Sequence, residues 1–318
     1  MLKYSKRLID ITGMRDVIQR RIPVLTLDSK APGPTVWLAG CIHGDEPGGT
    51  AIIHEVVGTV RETGMAGGVL HALPLINSMG FENISRFVNS DREDLNRCFP
   101  GDPKGSMGER IARRLFDMIR ATEPDLVVDL HNDWIQSVPY VLLDPRAHFR
   151  RPGLRKSTIE AARAAGLMIV QDSDQAEAMS RTLTGALVAA GVRAFTLEAG
   201  GASGIVEASI EAGRNAVLGV LRSVGMITAP TGEPPRPASP RVLDYTSRPR
   251  CTSSGLVRFT VAPGDRIAPG NIVARVYSAF GSVEETLRAE GPGFVLGVAD
   301  HARAVPGSEV IAIAGTEA

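Results

Sequence analysis

Four short apolar runs that lead to chemically reactive polar residues constrain the fold of this chain more than any other feature. The runs lie at 35–39, 69–76, 126–130 and 193–197, and they lead to His43, Asn77, His131 and Glu198, respectively. Runs without polar alternation are typical of strands buried on both faces of a parallel or mixed sheet. Because ligands of open α/β sheets bind beyond the carboxyl ends of the strands, we expect the four polar residues to share one site.

Helical patterns separate the apolar runs. Residues 46 to about 63 and 207 to about 224 carry apolar side chains at helical spacing, and 154–165 is a further helical candidate. Ser106 and Glu109 form the pattern of a capping box, which predicts the start of another helix. The alternation of strands with helices predicts an α/β fold with a mixed, mostly parallel sheet flanked by helices.

A histidine and a glutamate in one tight loop, His43 and Glu46, suggest a metal site. Two histidines and a glutamate that leave one coordination position open form a hydrolytic zinc arrangement, and His131 supplies the second histidine. The pair alone is weak evidence, since a turn histidine and a solvated glutamate often occur at this spacing by chance. The position of His131 after another apolar run favours the metal site.

The polar residues of interest belong to a series of motifs, which are Gly40-Cys41-Ile42-His43-Gly44-Asp45-Glu46, Asn77, Asp94-Leu95-Asn96-Arg97-Cys98-Phe99-Pro100-Gly101, Asp129-Leu130-His131 and Leu197-Glu198-Ala199-Gly200. Taken together, these motifs resemble those of the succinylglutamate desuccinylase/aspartoacylase family. This family is the deacylase branch of the carboxypeptidase A-like zinc hydrolases. The resemblance covers essentially the whole chain, and the block 94–101 is its most specific part.

The resemblance implies a zinc carboxypeptidase-like fold and one Zn²⁺ per chain. It implies that His43, Glu46 and His131 bind the zinc and that Glu198 is the catalytic carboxylate. It also implies a group of residues that bind the substrate, with Asn96 and Arg97 holding its carboxylate. The substrate-binding residues that we expect are Asn77, Arg86, Asn96 and Arg97.

Two departures from the family pattern bear on the substrate. Asn77 is followed by Ser78, where close aspartoacylases usually have proline, and the spacing from Arg86 to Asn96 is longer than theirs. Either Arg86 or Arg92 could therefore fill the upstream arginine position; the aromatic neighbour Phe87 favours Arg86. The departures suggest a subgroup whose substrates differ from acetylaspartate.

The residue types fit amide hydrolysis, although each has a plainer interpretation. Glu198 could take a proton from zinc-activated water and pass it to the leaving amine, or it could be a strand-end salt-bridge partner. The planar fork of Arg97 suits a fixed carboxylate, but it could instead pair with a nearby acid (Asp91, Glu93 or Asp94). Asp129 could orient His131 as a ligand, or it could be an ordinary capped acid.

The C-terminal part of the chain has a different character. We expect a zinc hydrolase domain at 1–229, a proline-rich linker at 230–248, and a small β-sandwich or barrel at 249–318. The tail resembles the biotinyl/lipoyl-type domains of such deacylases. The lysines of the chain are Lys3, Lys6, Lys30, Lys104 and Lys156, so the tail has no carrier lysine. A structural lid or an oligomer contact is the remaining interpretation.

Composition and apolar runs indicate which kinds of partner the chain can have. It has 35 basic and 35 acidic residues with no basic run, which argues against nucleic-acid binding. No apolar run approaches the roughly 18 residues of a membrane-spanning helix, and the N-terminus lacks the apolar region of a signal peptide, so we expect a cytoplasmic protein. A homo-oligomer is possible.

The hypothesis that these patterns favour is zinc-dependent hydrolysis of the amide bond of a small N-acyl amino acid or related amine. A zinc carboxypeptidase that acts on peptides could use the same ligands and the same arginine. A non-catalytic metal- or metabolite-binding protein is a further alternative, which an altered ligand or a lost base would signal.

Overall fold

The computed structural model describes residues 2–11, 20–88, 91–173, 180–228 and 241–315. The helices of these ranges are α1 (Gly48–Thr63), α2 (Ser78–Glu82), α3 (Met107–Arg120), α4 (Leu154–Arg163), α5 (Leu183–Ala189) and α6 (Glu207–Ser223), with short 3₁₀ turns at Leu95–Arg97 and Arg146–His148. The strands are β1 (Lys3–Asp10), β2 (Arg21–Asp28), β3 (Thr35–Gly40), β4 (Val69–Leu73), β5 (Leu126–His131), β6 (Gln136–Ser137), β7 (Tyr140–Leu143), β8 (Met168–Gln171), β9 (Ala194–Glu198), β10 (Val242–Thr246), β11 (Gly255–Phe259), β12 (Arg266–Ile267), β13 (Ile272–Tyr277), β14 (Val283–Arg288), β15 (Gly293–Val298), β16 (Arg303–Ala304) and β17 (Ile311–Gly315).

One large mixed sheet organises the molecule. Its strand order is β1-β2-β4-β3-β5-β9-β7-β8-β10-β17-β15-β12, and β6 pairs with β15 at the side. Strands β4, β3, β5 and β9 are mutually parallel, while β7 runs antiparallel to β9. The four apolar runs of the sequence are these four parallel strands. The predicted α/β fold class, with a mixed sheet flanked by helices, is confirmed.

The central strands are buried on both faces, which explains their lack of polar alternation. On one face, Val36 and Leu38 of β3 pack in a core that also contains residues of α1, α4 and α6. On the other face, Trp37 and Ala39 pack with residues of α3 and α5. Helix α1 begins at Gly48 rather than at Glu46, because Glu46 belongs to the loop that follows β3.

The capping box at the start of α3 is confirmed. The Ser106 hydroxyl accepts a hydrogen bond from the Glu109 backbone N–H at 3.1 Å, and the Glu109 carboxylate accepts one from the Ser106 N–H at 3.2 Å. The two side chains thereby satisfy two backbone donors that a helix start leaves unpaired.

The tail divides its strands between two sheets. Strands β14-β13-β11-β16 form a separate antiparallel sheet, whereas β17, β15 and β12 extend the large sheet by way of β10. Residues of both sheets share one apolar core, which includes Val257, Val276, Val295 and Ile311. The division into domains at 229 and 249 stays a prediction. Residues 229–240 lie outside the described residues, and the rest of the expected linker contains β10.

The loop between β3 and α1, residues 41–47, is fixed by close backbone packing against α2. The backbone N–H of Asn77 donates to the Cys41 carbonyl at 2.9 Å. A Cβ atom on Gly44 would lie 2.1 Å from the carbonyl carbon of Gly80, far inside van der Waals contact. Only glycine allows the loop to lie this close to α2.

Gly44→Ala should therefore lower the free energy of unfolding by about 1–3 kcal/mol, the usual cost of forcing extra volume into a packed region. A suitable control is Gly58→Ala within α1, where an added Cβ meets no atom within 4 Å. That change should stabilise the protein by up to about 1 kcal/mol, because alanine favours helix. Urea unfolding in the presence of a chelator measures both variants. Equal stabilities of Gly44→Ala and wild type would contradict the packing argument.

Candidate metal and substrate site

The loop after β3 and the end of β5 bring His43, Glu46 and His131 together. Glu46 lies between the two rings: its Oε1 is 2.7 Å from His43 Nδ1, and its Oε2 is 2.9 Å from His131 Nδ1. The three residues are buried, with exposed fractions of 3% for His43, 8% for Glu46 and 4% for His131. One possible ligand atom from each lies within 4.8 Å of the others, so all three can reach a common cation.

The outer nitrogen of each imidazole faces a carboxylate. Asp94 Oδ1 lies 3.1 Å from His43 Nε2, and Asp129 Oδ2 lies 3.0 Å from His131 Nε2. Such carboxylates orient histidine ligands and raise their basicity, which is the role considered above for Asp129. The contact of Asp94 with His43 was not predicted: the sequence named Asp94 only as a motif residue and a possible partner of Arg97, and 51 residues separate it from His43.

The electrostatics of the group favour a cation. Burial opposes ionisation, yet the two histidines hold the pKa of Glu46 well below its ordinary value. Burial likewise disfavours a charged His131, yet Asp129 and Glu46 raise the pKa of that imidazole well above its usual range. Two imidazole nitrogens and a carboxylate are the donor set that zinc takes in hydrolytic sites. The residues therefore fit the zinc ion that the sequence suggested.

The expected substrate residues have different positions relative to this group. Arg86, Asn96 and Arg97 line the same cleft as the metal group. The Arg86 guanidinium donates to Asp94 Oδ2 at 3.0 Å and to Glu46 Oε1 at 3.3 Å, while Arg92 is exposed at the surface. Asn77 is not among the cleft residues: its side-chain oxygen accepts a hydrogen bond from Gly80 N–H at the start of α2.

Asn96 and Arg97 are positioned by local contacts. The Asn96 side-chain oxygen accepts a hydrogen bond from the Leu183 N–H at 2.8 Å, and its Nδ2 lies 3.3 Å from His131 Nε2. Arg97 donates to the Asn96 carbonyl at 2.7 Å. Within the described part of the chain, Arg97 forms no ion pair. The nearby acid Asp94 is engaged by His43 and Arg86 instead, so the Arg97 guanidinium is available to a ligand.

Glu198 ends β9 beside the metal group. In the sheet register it stands between His131 of β5 and Tyr140 of β7. Its carboxylate lines the cleft and makes no hydrogen bond or ion pair with the other described residues. Burial raises the pKa of Glu198 to about 8; His131 opposes this shift, and the neighbouring Asp133 and Glu46 add to it. A cation held by the metal group would lower that pKa again.

The cleft has a volume of about 440 Å³ and extends well beyond the residues expected from sequence. Its other walls come from the region of β7, β8 and α5 and from the tail. The Tyr140 hydroxyl donates to Asp133 Oδ2 at 3.0 Å inside this cleft. Tyr140 lines the cleft, although its position on a strand favoured a packing role. The lining residues that sequence reasoning missed include Asp133, Asp144, Asp172, Tyr245 and Glu309.

Comparison with known proteins gives consistent matches. The family model of the succinylglutamate desuccinylase/aspartoacylase catalytic domain matches residues 32–224. The N-alpha-acetyl-L-2,4-diaminobutyric acid deacetylase of Halomonas elongata is 30% identical over 267 residues, which cover 80% of this chain and 74% of that protein.

Two solved structures share the fold. A succinylglutamate desuccinylase/aspartoacylase from Rhodobacter sphaeroides superposes with a TM-score of 0.81 at 22% identity, covering 99% of this chain and 96% of that one. A metallo-carboxypeptidase from Burkholderia cenocepacia superposes with a TM-score of 0.55 at 18% identity, covering 69% of this chain and 64% of that one. At these identities the likeness concerns the fold alone, and it confirms the carboxypeptidase-like architecture.

No helix of the described residues is long and apolar enough to cross a membrane.

Asp94→Asn should weaken zinc binding by about 10- to 100-fold, because it removes the carboxylate that orients His43. Asparagine can still accept the hydrogen bond that Asp94 receives from the Asn96 N–H, so the local turn should survive. Competition with a chelating dye gives the affinity. Asp91→Asn is the control, since Asp91 also accepts a backbone hydrogen bond, from Gly108, but makes no contact with the metal group. Equal affinity of both variants would contradict the orienting role of Asp94.

Proposed function

The chain belongs to the succinylglutamate desuccinylase/aspartoacylase family, and on this premise we propose that it hydrolyses the amide bond of a small N-acylated amino acid with the help of one zinc ion. The observation that carries the proposal is the buried group of His43, Glu46 and His131 beside the unengaged carboxylate of Glu198. The relative from Halomonas elongata, named as a deacetylase of an N-acetylated amino acid, supports the same class of reaction. A cleft of about 440 Å³ suits a small molecule.

His43, Glu46 and His131 would hold the zinc, with Asp94 and Asp129 fixing the orientation of the two imidazoles. When bound there, zinc supplies Lewis acidity, which polarises a carbonyl group and lowers the pKa of water to about 7. The protein supplies the remaining requirements, which are proton transfer and the placement of the substrate.

Glu198 would carry the proton. Its carboxylate accepts a proton from the attacking water and then delivers that proton to the nitrogen of the leaving amine. Burial and the neighbouring carboxylates raise the pKa of Glu198, and a bound zinc ion would lower it, so the two effects oppose each other. A group that titrates near the working pH can both take and return a proton. Among the described residues no hydrogen bond ties the carboxylate elsewhere, so it can move between the two partners.

Arg97 and Arg86 would hold the carboxylate of the substrate. Arg97 is anchored by the Asn96 carbonyl, and its planar fork can donate two parallel hydrogen bonds to a carboxylate. Arg86 lies next to it on the cleft wall, with part of its charge already neutralised by Asp94 and Glu46. Arg97 is therefore the stronger candidate for the anchor, and Arg86 supports it. The cytoplasmic location and a homo-oligomer remain predictions from the sequence.

Glu198→Gln should lower kcat by about 10²- to 10⁴-fold, the usual contribution of a positioned acid–base group, while zinc content stays unchanged. The assay is release of free amine from a panel of N-acetyl amino acids and short peptides, followed across pH. Wild-type activity should fall as the pH drops through the pKa of Glu198, because the protonated acid cannot accept a proton.

Glu211→Gln on α6 is the matched control and should behave as wild type, since Glu211 is exposed and outside the cleft. Full activity of Glu198→Gln would place the base elsewhere. Activity on peptides alone would shift the reaction to that of a carboxypeptidase.

Arg97→Lys should raise KM for N-acetyl amino acids by about 10-fold or more with a smaller effect on kcat. Lysine keeps the positive charge but lacks the two-pronged geometry, and a hydrogen bond to a charged group contributes about 1.5–3 kcal/mol. The companion variant Arg92→Lys should leave KM unchanged, because Arg92 is exposed and is not among the cleft residues. An unchanged KM for Arg97→Lys would contradict its role as the anchor, and a raised KM for Arg92→Lys would make Arg92 a substrate-binding residue.

A further inference from the structure

More acidic than basic side chains line the cleft. Two guanidinium groups, Arg86 and Arg97, line it on the side of the metal group. The carboxylates that line it are Glu46, Asp133, Asp144, Asp172, Glu198 and Glu309. Of these, Glu46 and Glu198 have roles in the proposed chemistry. The remaining acids lie away from the two arginines in sequence, on the segments around β6–β8 and before β17, and the proposed reaction gives them no function.

The sheet register shows where Asp144 lies relative to Glu198. Tyr140 of β7 is paired with Glu198 of β9, and Leu142 is paired with Thr196. Side chains two residues apart on a strand point to the same face, so Tyr140, Leu142 and Asp144 form one row. The Thr184 hydroxyl, which contacts Asp144, also lies 3.5 Å from the hydroxyl of Thr196, two residues before Glu198 on β9. Asp144 thus lies on the floor of the cleft near Glu198, within reach of the side chain of a small substrate.

Within the described part of the chain, only one of the two carboxylate oxygens of Asp144 accepts hydrogen bonds. Its Oδ1 accepts hydrogen bonds from the hydroxyls of Thr182 at 3.4 Å and Thr184 at 3.3 Å. Its Oδ2 is buried and has no hydrogen-bond partner among the described residues. The residue as a whole is only 3% exposed. A buried carboxylate oxygen without a donor is costly, so native structures rarely keep one without a ligand, ion or water.

The charged neighbours of Asp144 make the unpaired oxygen more significant. Burial raises its pKa to about 7, and the carboxylates of Asp172 and Asp129 raise it further, while the two threonine hydroxyls lower it. The nearest charges that act on it are therefore negative. A group that brings positive charge and N–H donors would satisfy Oδ2 and relieve the repulsion at once.

We infer that Asp144 binds a protonated amino group of the substrate, so that the substrate is an N-acylated diamino acid. The inference rests on the proposed function for the reacting end of the molecule. An ammonium group offers three donors and a full positive charge, and the Asp144 carboxylate offers the free oxygen that accepts one of them. Arg97 and Asp144 then recognise the two charged groups of the amino-acid part of one substrate, its carboxylate and its side-chain ammonium. Both positions lie near the start of α5, where Thr182 and Thr184 contact Asp144 and the Leu183 N–H donates to Asn96.

Matched pairs of compounds test the inference. Nα-acetyl-L-2,4-diaminobutyrate and Nα-acetyl-L-norvaline have side chains of equal length that end in an ammonium and a methyl group, respectively, and the ornithine and norleucine derivatives repeat the comparison one methylene longer. Amine release gives kcat and KM for wild type, Asp144→Asn and Asp244→Asn. Asp244 is an exposed aspartate on β10 outside the cleft, so its variant controls for the loss of one negative charge. Calorimetry with free L-2,4-diaminobutyrate and L-norvaline measures binding without turnover.

We expect wild type to favour the ammonium compound of at least one pair by about 10-fold or more in kcat/KM, through KM. Asp144→Asn should abolish that preference without changing the values for the neutral partner, and Asp244→Asn should retain it. Calorimetry should show the same loss of affinity for the free diamino acid in Asp144→Asn.

Each contrary result has a distinct meaning. If wild type has equal kcat/KM for both members of every pair, the inference is wrong, while the proposed amide hydrolysis still stands. A preference that survives in Asp144→Asn shows that the ammonium is bound elsewhere and overturns the assignment. If no acetylated compound is hydrolysed, yet wild type binds the free diamino acid more tightly than Asp144→Asn does, the proposed function fails and the ammonium site stands. The wild-type comparison remains decisive even if Asp144→Asn does not fold.

Discussion

The Glu46 carboxylate holds the site together, because each of its oxygens is shared by two partners from different parts of the fold. Oε1 contacts His43 and Arg86, and Oε2 contacts His131 and the backbone N–H of Asn132. The carboxylate thus joins the loop after β3 to the end of β5 and to the segment that carries Arg86. In this buried setting the two imidazoles and the carboxylate form the donor set that a zinc dication takes in hydrolytic sites. The orientation of both histidines, and hence of the carboxylates behind them, depends on that arrangement.

Local packing forces the loop into the shape that presents Glu46. Cys41 has a positive φ of 53°, which is uncommon for a residue other than glycine, and Gly44 lies against the backbone of α2. Strained backbone of this kind persists where the surrounding structure fixes it, and it often accompanies functional sites. The buried thiol of Cys41 donates to the carbonyl of His43 and belongs to this frame, since burial raises its pKa to about 12 and keeps it unreactive.

Sequence reasoning predicted that residues at the ends of parallel strands share one site, and the structure places three of them in one cleft. His43 follows β3, while His131 and Glu198 end β5 and β9; these strands are parallel neighbours, so the rule that ligands bind at carboxyl ends applied to all three. The same rule placed Asn77 after β4, but its side chain caps α2 and is used within the fold. A motif can indicate that a polar residue matters; whether it faces the cleft depends on contacts that lie far apart in the chain.

The other acidic residues of the cleft were not predicted from the sequence, and the reason is physical. Strand β7 runs antiparallel to β9, so Asp144 at its carboxyl end lies away from the edge where the metal group is found. Tyr245 and Glu309 reach the cleft because β10 joins β8 on one side and β17 on the other, a strand order that no local pattern encodes. The tail therefore contributes to the wall of the cleft. A short motif can specify the metal group and Glu198, whereas the other acidic residues of the cleft come together through sheet topology.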